Sequence, residues 1–284
     1  MRYKTQALPP TQTGYPHDAS SKETRMDNTT RYGRFAFNDG TTCYARVQED
    51  RLVLLSAAPW LGGRETGRIE TAEAGRRLCP VAPSKILCIG RNYGAHAKEM
   101  GADVPKEPLL FLKAPSSLLD PEGVVILPPE SARVEHEAEL GVVIGRRARR
   151  IGRQAAMDYV FGYTAIGDIT ARDLQKADGQ WSRAKGFDTF CPVGPEIVTG
   201  LDPLALRVIG RVNGEVRQNG TTADMIFPVD ALVSHLSQAM TLEPGDIIAT
   251  GTPEGVGPLV HGDRFEVDIE GVGVLRVNVR AENR

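Results

Sequence analysis

The chain has 284 residues, 41% of them hydrophobic and 25% charged, and a net charge of -2. Those proportions are ordinary for a globular protein and give no electrostatic case for nucleic acid or an anionic membrane as partner. No stretch reaches the run of about eighteen apolar residues that a membrane span needs. The four cysteines, Cys43, Cys79, Cys88 and Cys191, form no CxxC pair and fit neither a zinc site nor a disulfide framework.

Residues 1 to about 29 are polar and rich in Pro, Ser and Thr, and read as a disordered or loosely attached arm. Met1-Arg-Tyr-Lys-Thr lacks the apolar core of a secretory signal, so a reducing cytoplasm is the expected compartment. From 30 to 80 the pattern is short and strand-like: Phe35 and Phe37 in alternation, then 43–47, then 52–55. Asp39-Gly40 and Glu49-Asp50 mark the turns. This predicts a small N-terminal β-domain, with 79–84 as the linker that closes it.

Residues 84–284 carry the denser signals and read as one catalytic domain. Strands are predicted at 86–89, 109–112 and 124–127, and a short helix at 93–100. In that helix His96 and Glu99 are three apart and so lie on neighbouring surface. A carboxylate beside an imidazole fixes its tautomer and raises its basicity, the arrangement needed to deprotonate a water.

The run Val134-Glu-His-Glu-Ala-Glu-Leu-Gly-Val-Val-Ile144 ends as a buried strand. Side chains two apart on a strand share a face, so Glu137 and Glu139 converge beside an apolar element. Asp168 follows in a mostly apolar or small context. Burying acids together costs several kcal/mol unless something compensates, and a hard divalent cation with oxygen ligands would do so. Glu135 and His136 are further donors at the same place. The basic cluster Arg146-Arg-Ala-Arg-Arg150 reads as a solvated turn.

Further on, 153–159 predicts a short helix. Lys185 stands in surroundings with little other charge, where it could pair with a carboxylate ligand. Ile209 to Val216 is a hairpin with an Asn-Gly turn, and Pro228 to Met240 an amphipathic helix. The Gly-rich stretch after the strand at 247–250 could bind an anion or oxyanion through its amides and Thr252. An alternating run from Phe265 to Val279 completes the β-structure. With strands outnumbering helices, no βαβαβ rhythm and no internal repeat, the fold class is β-rich α+β.

Seven ordered segments together resemble the fumarylacetoacetate hydrolase (FAH) family: GRNYGAHAKEM, FLKAPSSL, EAELGVVIG, DYVFGYTAIGDITARDLQ, AKGFDTFCPVGP, RVNGEVRQNGTTADMIF and IIATGTPEGVG. They span about 86 to 280 and point to its acylpyruvase and 2-hydroxyhepta-2,4-diene-1,7-dioate isomerase-like branch. The resemblance implies a mixed β-sandwich roll, usually a homodimer. It implies Mg²⁺ (or Mn²⁺) held by Glu137, Glu139 and Asp168, choosing Glu137 over Glu135. It makes His96 and Glu99 a catalytic dyad on a short lid helix, Lys185 a stabiliser of the departing enolate, and Arg172, Gln175 and Thr252 pocket-lining residues. The implied activity is carbon–carbon hydrolysis of a small 2,4-dioxo acid such as acetylpyruvate or fumarylpyruvate, a chemistry of aromatic catabolism. Decarboxylation of an oxaloacetate-type acid, or keto–enol isomerisation, is the alternative at the same site.

Overall fold

A computed structural model describes residues 28–282. The reading of 1–29 as an arm falls almost wholly outside them. Twenty strands and four short α-helices follow in chain order among the described residues. The first five strands are β1 (Thr30–Phe37), β2 (Thr42–Gln48), β3 (Arg51–Leu55), β4 (Glu65–Thr71) and β5 (Gly75–Leu78). Next come β6 (Ile86–Gly90), α1 (Gly94–Glu99), β7 (Leu109–Lys113), β8 (Leu118–Leu119), β9 (Val124–Leu127), β10 (Val134–His136) and β11 (Ala138–Ile144). The middle holds β12 (Val160–Gly167), β13 (Thr170–Ala171), α2 (Arg172–Asp178), α3 (Ser182–Gly186) and β14 (Cys191–Thr199). The chain finishes with β15 (Arg207–Val212), β16 (Glu215–Thr221), α4 (Val229–Ala239), β17 (Ile247–Ala249), β18 (Gly257–Pro258), β19 (Arg264–Ile269) and β20 (Gly273–Ala281).

Two sheets pack face to face. The larger runs β4-β3-β2-β1-β14-β12-β11-β17-β6-β7, and the smaller runs β16-β15-β19-β20-β9. Strands β11, β12 and β14 of the first lie against β15, β19 and β20 of the second. The core between them includes Leu140, Ala165, Phe265, Val267, Leu275 and Val277, all essentially without solvent contact. This is the β-rich class that the strand patterns predict, arranged as the sandwich that the family resemblance implies. Burying a Leu- or Phe-sized side chain there contributes roughly 1.5–3 kcal/mol.

The N-terminal meander has its own small core around Phe35, Ala45, Leu52 and Leu54. It is nevertheless an extension of the large sheet, because Thr30 to Tyr32 of β1 pair with Ile197 to Thr199 of β14. Nor is 79–84 a free connection: Cys79 and Val81 are packed with Ile86, Cys88 and Cys191. Burial pushes the Cys79 thiol up to about 12 and those of Cys88 and Cys191 higher still, so all three behave as small apolar core residues.

Local chemistry explains the turns. Asn213 and Gly214 both have positive φ, at 53° and 82°, as a tight β15–β16 hairpin requires. The predicted helix at 153–159 is instead a 3₁₀ turn, and Arg149 caps the end of α4 by donating to the carbonyls of Ser237 and Gln238. None of the described helices is long and apolar enough to cross a membrane.

What matters for the site is direction. Strand β11 is antiparallel to both β12 and β17, and β17 is parallel to β6. The start of β11 therefore lies beside the ends of β12, β17 and β6. Four chain segments, ending or starting at Gly90, Ala138, Gly167 and Ala249, are thus delivered to one end of the sheet.

Candidate active site

Glu137 sits at the break between β10 and β11, and Glu139 is the second residue of β11. Asp168 follows β12 directly, and its backbone N–H donates to the Glu137 carbonyl at 2.9 Å. The three carboxylates are buried, and each offers an oxygen within 4.8 Å of the others. The strand alternation read from the sequence thus brings these side chains to one point, with a third from the neighbouring strand.

Each acid is treated differently. Glu137 accepts from Arg172 at 2.6 Å and Lys185 at 2.8 Å. Burial pushes its carboxyl up, but the charges of Lys185 and Arg172 outweigh that and hold it below the usual carboxylate range. Asp168 accepts from Lys185 and Lys113, each at 2.7 Å. Among the described residues Glu139 accepts only the Gly251 N–H, at 2.8 Å. Burial first, then the charges of Asp168 and Glu137, push its carboxyl well above the ordinary value. A divalent ion seated among hard oxygen donors would relieve that cost, so the donor set fits Mg²⁺ or Mn²⁺.

Gly251 must be glycine. Its φ is 100°, and a Cβ there would lie 2.7 Å from the Asn92 Cβ. The site depends on this close approach, because it is what aims the 251 amide at Glu139.

Glu135 is not part of the cluster. Arg133 and Arg172 each hold it at 2.6 Å, so it serves as the outer anchor of Arg172. His136 lies against the Phe265 ring, with centroids 5.1 Å apart. Its Nδ1 is 3.2 Å from Gln218 Oε1.

The sequence reading passed over Gln218 and Lys113. Gln218 is fully buried, and both ends of its amide are engaged. Oε1 accepts the Ala138 N–H at 2.9 Å, while Nε2 donates to Thr252 Oγ1 at 2.6 Å and Pro253 O at 2.8 Å. One residue thereby ties the strand between the two glutamates to the loop opposite. Thr252 in turn donates its hydroxyl proton to Ala138 O at 2.9 Å. Toward the cleft this hydroxyl can only accept a hydrogen bond. The anion contact expected of it from the sequence is therefore not available through Oγ1. Lys113 closes an apolar strand, and that was its one visible signal.

Across the cleft, helix α1 carries the dyad. His96 Nδ1 is 3.0 Å from Glu99 Oε2, and His96 is buried. With Nδ1 donating, Nε2 is left free to take a proton. The other oxygen of Glu99 accepts the Gly255 N–H at 3.0 Å. Thus α1 is fastened to the loop that follows β17.

His96, Glu137, Glu139, Arg172, Gln175, Lys185 and Thr252 all line one cleft of about 190 Å³, joined by Arg91, Phe111, Lys176 and Trp181. Asp168 lies beneath it, and Glu99 behind His96. That volume is under the ~300–1,000 Å³ typical of pockets for drug-sized ligands, which favours a small polar molecule.

Similarity to known proteins agrees with this geometry. Residues 85–280 match the family "Fumarylacetoacetate (FAA) hydrolase C-terminal", and 30–80 match "Rv2993c-like, N-terminal". A 2-hydroxyhepta-2,4-diene-1,7-dioate isomerase from Mycobacterium marinum superposes with TM-score 0.83 at 40% identity, covering 90% of this chain and 100% of its own. The mitochondrial oxaloacetate tautomerase FAHD1 of Arabidopsis thaliana is 47% identical over 202 residues, 69% of this chain and 91% of that protein. A fumarylpyruvate hydrolase from Pseudomonas aeruginosa, solved with Mn²⁺ and pyruvate, superposes with TM-score 0.67 at 34% identity, covering 73% and 92%. By sequence, fold and the content of its cleft, the chain is a member of the fumarylacetoacetate hydrolase family of enzymes.

Proposed function

We propose that the chain is a Mg²⁺- or Mn²⁺-dependent hydrolase that cleaves a carbon–carbon bond in a small acylpyruvate-type 2,4-dioxo acid. The observation that carries this is the pairing, across one cleft, of a buried three-carboxylate cradle with a His96–Glu99 dyad. Glu137, Glu139 and Asp168 would hold the ion, which supplies Lewis-acid polarisation of the oxo acid's oxygens when bound. Arg172 donates to Gln175 Oε1 at 2.7 Å and so orients that amide at the cleft wall, where Gln175 Nε2 would donate to the substrate carboxylate.

His96 takes a proton from water at Nε2, while Glu99 fixes the ring through Nδ1. The hydroxide so formed adds to the 4-oxo carbon, and collapse of that adduct breaks the bond between C3 and C4, releasing one acid and the enolate of the other. Thr252 Oγ1, an acceptor only, suits the hydrogen of that water or of an enol. Lys185 is buried, and the charges of Asp168 and Glu137 outweigh its burial and raise its ammonium above the ordinary value. It therefore stays a full positive charge beside the oxygen on which negative charge develops as the bond breaks. His96 then returns the proton to the departing carbon.

A second reading is enol–keto tautomerisation of an oxaloacetate-type acid, in which His96 moves a proton between oxygen and carbon without a water. The higher identities to the tautomerase and the isomerase favour it. Incubating the Mg²⁺-loaded protein with acetylpyruvate, fumarylpyruvate and oxaloacetate, with product analysis, separates them. Pyruvate plus a second acid means hydrolysis, and loss of enol absorbance without fragmentation means tautomerisation. Turnover of none of the three would remove both readings.

A further inference from the structure

We infer that Arg91 and Lys176 form a subsite for a second, distal carboxylate, so that the enzyme selects dianionic oxo acids over monoanionic ones. The inference rests on the oxo-acid reading above and extends it to the far side of the same cleft.

The first support is a contrast in pairing. Arg172 and Lys185 line the cleft but are already bound to carboxylates at 2.6–2.8 Å. Arg91 and Lys176 line it too, yet neither has an ion pair or side-chain hydrogen bond among the described residues.

Charge points the same way. With all ionised, Glu135, Glu137, Glu139 and Asp168 are equalled in number by Arg133, Arg172, Lys113 and Lys185, each in direct contact with at least one of them. The network is neutral by itself. The two positive charges of a divalent ion, and those of Arg91 and Lys176, are left for the ligand to meet.

Placement gives the spacing. Arg172 and Lys176 are four apart on α2, hence on one helix face about one 5.4 Å turn apart. Arg172 touches the Glu137 carboxylate, so Lys176 stands one turn farther from the cradle. The Trp181 and Phe111 rings, with centroids 5.1 Å apart, line the same cleft and give an apolar wall for a short carbon chain.

Arg91 is also held rigidly. It has φ of 57°, a left-handed conformation that a non-glycine residue keeps only when its surroundings hold it there. On one side, a Cβ on Gly90 would come within 2.7 Å of the Trp181 ring. On the other, Asn92 is clamped by Thr250 O at 2.8 Å and by Phe227 O and N–H at 3.0 and 2.8 Å. The base of the side chain is therefore fixed beside the cleft, which reduces the entropy lost when it grips a carboxylate.

The test compares two unreactive ligands with the same oxo-acid head. 2-Oxoglutarate has a distal carboxylate and 2-oxopentanoate has none. Calorimetry on the Mg²⁺-loaded wild type should give 2-oxoglutarate about tenfold or more the affinity of 2-oxopentanoate. The ratio should shrink as salt is raised. Arg91→Met and Lys176→Met should each lower it, the double variant should bring it close to one, and Arg91→Lys should keep part of it. Lys176 is exposed, so its variant reports even if changes at Arg91 prevent folding. Equal affinities in the wild type would overturn the subsite and leave the oxo-acid reading intact. Binding of neither ligand in the presence of Mg²⁺ would overturn both.

Discussion

The floor and the rim of the cleft are built on opposite terms. On the floor every carboxylate has a fixed donor, and Lys113, Lys185 and Arg172 are almost wholly buried. At the rim, Arg91 is half-buried, Lys176 is exposed, and both lack partners among the described residues. On the proposed function, the floor would grip an ion and the head of an oxo acid, and the rim would choose what is attached to that head. A related protein could keep the first and alter the second.

That division is most sharply tested at Asp168. Asp168→Asn keeps the shape but removes a charge that faces two buried lysines. Turnover should vanish, and Mg²⁺ affinity measured by calorimetry should fall by more than about a hundredfold, beyond the 10–100-fold typical of outer-shell changes. An unchanged affinity would place the ion elsewhere.

Next is His96→Ala, on the lid side. It should lower kcat by about 10²–10⁴ and leave Mg²⁺ affinity alone. If both fell together, floor and lid would not be separable parts.

Gln218→Leu removes the tie between Ala138 and the 252–253 loop without touching substrate or ion. Mg²⁺ affinity should weaken about 10–100-fold, and Gln218→Glu, which keeps one acceptor, should recover part of it. A drop in melting temperature with unaltered metal affinity would reduce Gln218 to a packing role.

Smaller effects follow from Glu139. Its folded carboxyl titrates above the unfolded value, so the native metal-free protein binds more protons than the unfolded chain in the interval between the two. Stability therefore falls as pH rises through that interval. Metal-free Glu139→Gln should be the more stable protein at neutral pH, melting a few degrees higher, at about 2–4 °C per kcal/mol for a protein of this size. Binding an ion expels the proton, so wild-type Mg²⁺ affinity should drop by up to about tenfold per pH unit on the acid side of that titration, and the Gln variant should lack this dependence.

The parts of this molecule that were legible in its sequence are those governed by neighbours along the chain. The 140–144 run, the Asn213-Gly214 turn, α4 and the dyad spacing each depend on residues within one turn or one strand. Strand alternation was enough to bring Glu137 and Glu139 together. The resemblance to a family supplied Arg172 and Gln175, because α2 and α3 are too short for periodicity to reveal them. What stayed hidden depends on distant pairing: Lys113 is 55 residues from Asp168, and Gln218 is 80 from Ala138. A lysine ending an apolar strand and a glutamine in a hairpin have no local mark of their destination. Nor did composition reveal that 79–84, which looks like a linker, is packed into the sheet.

Glu99 divides its two oxygens between the imidazole of His96 and the amide of Gly255. Both residues ride on α1, so if that helix swung away the imidazole would keep its orienting carboxylate, and the tether given up would be the one to the 255 amide. Opening would then lift the pair off the carboxylate cradle as a pre-aligned cartridge, set back in register once that amide is regained.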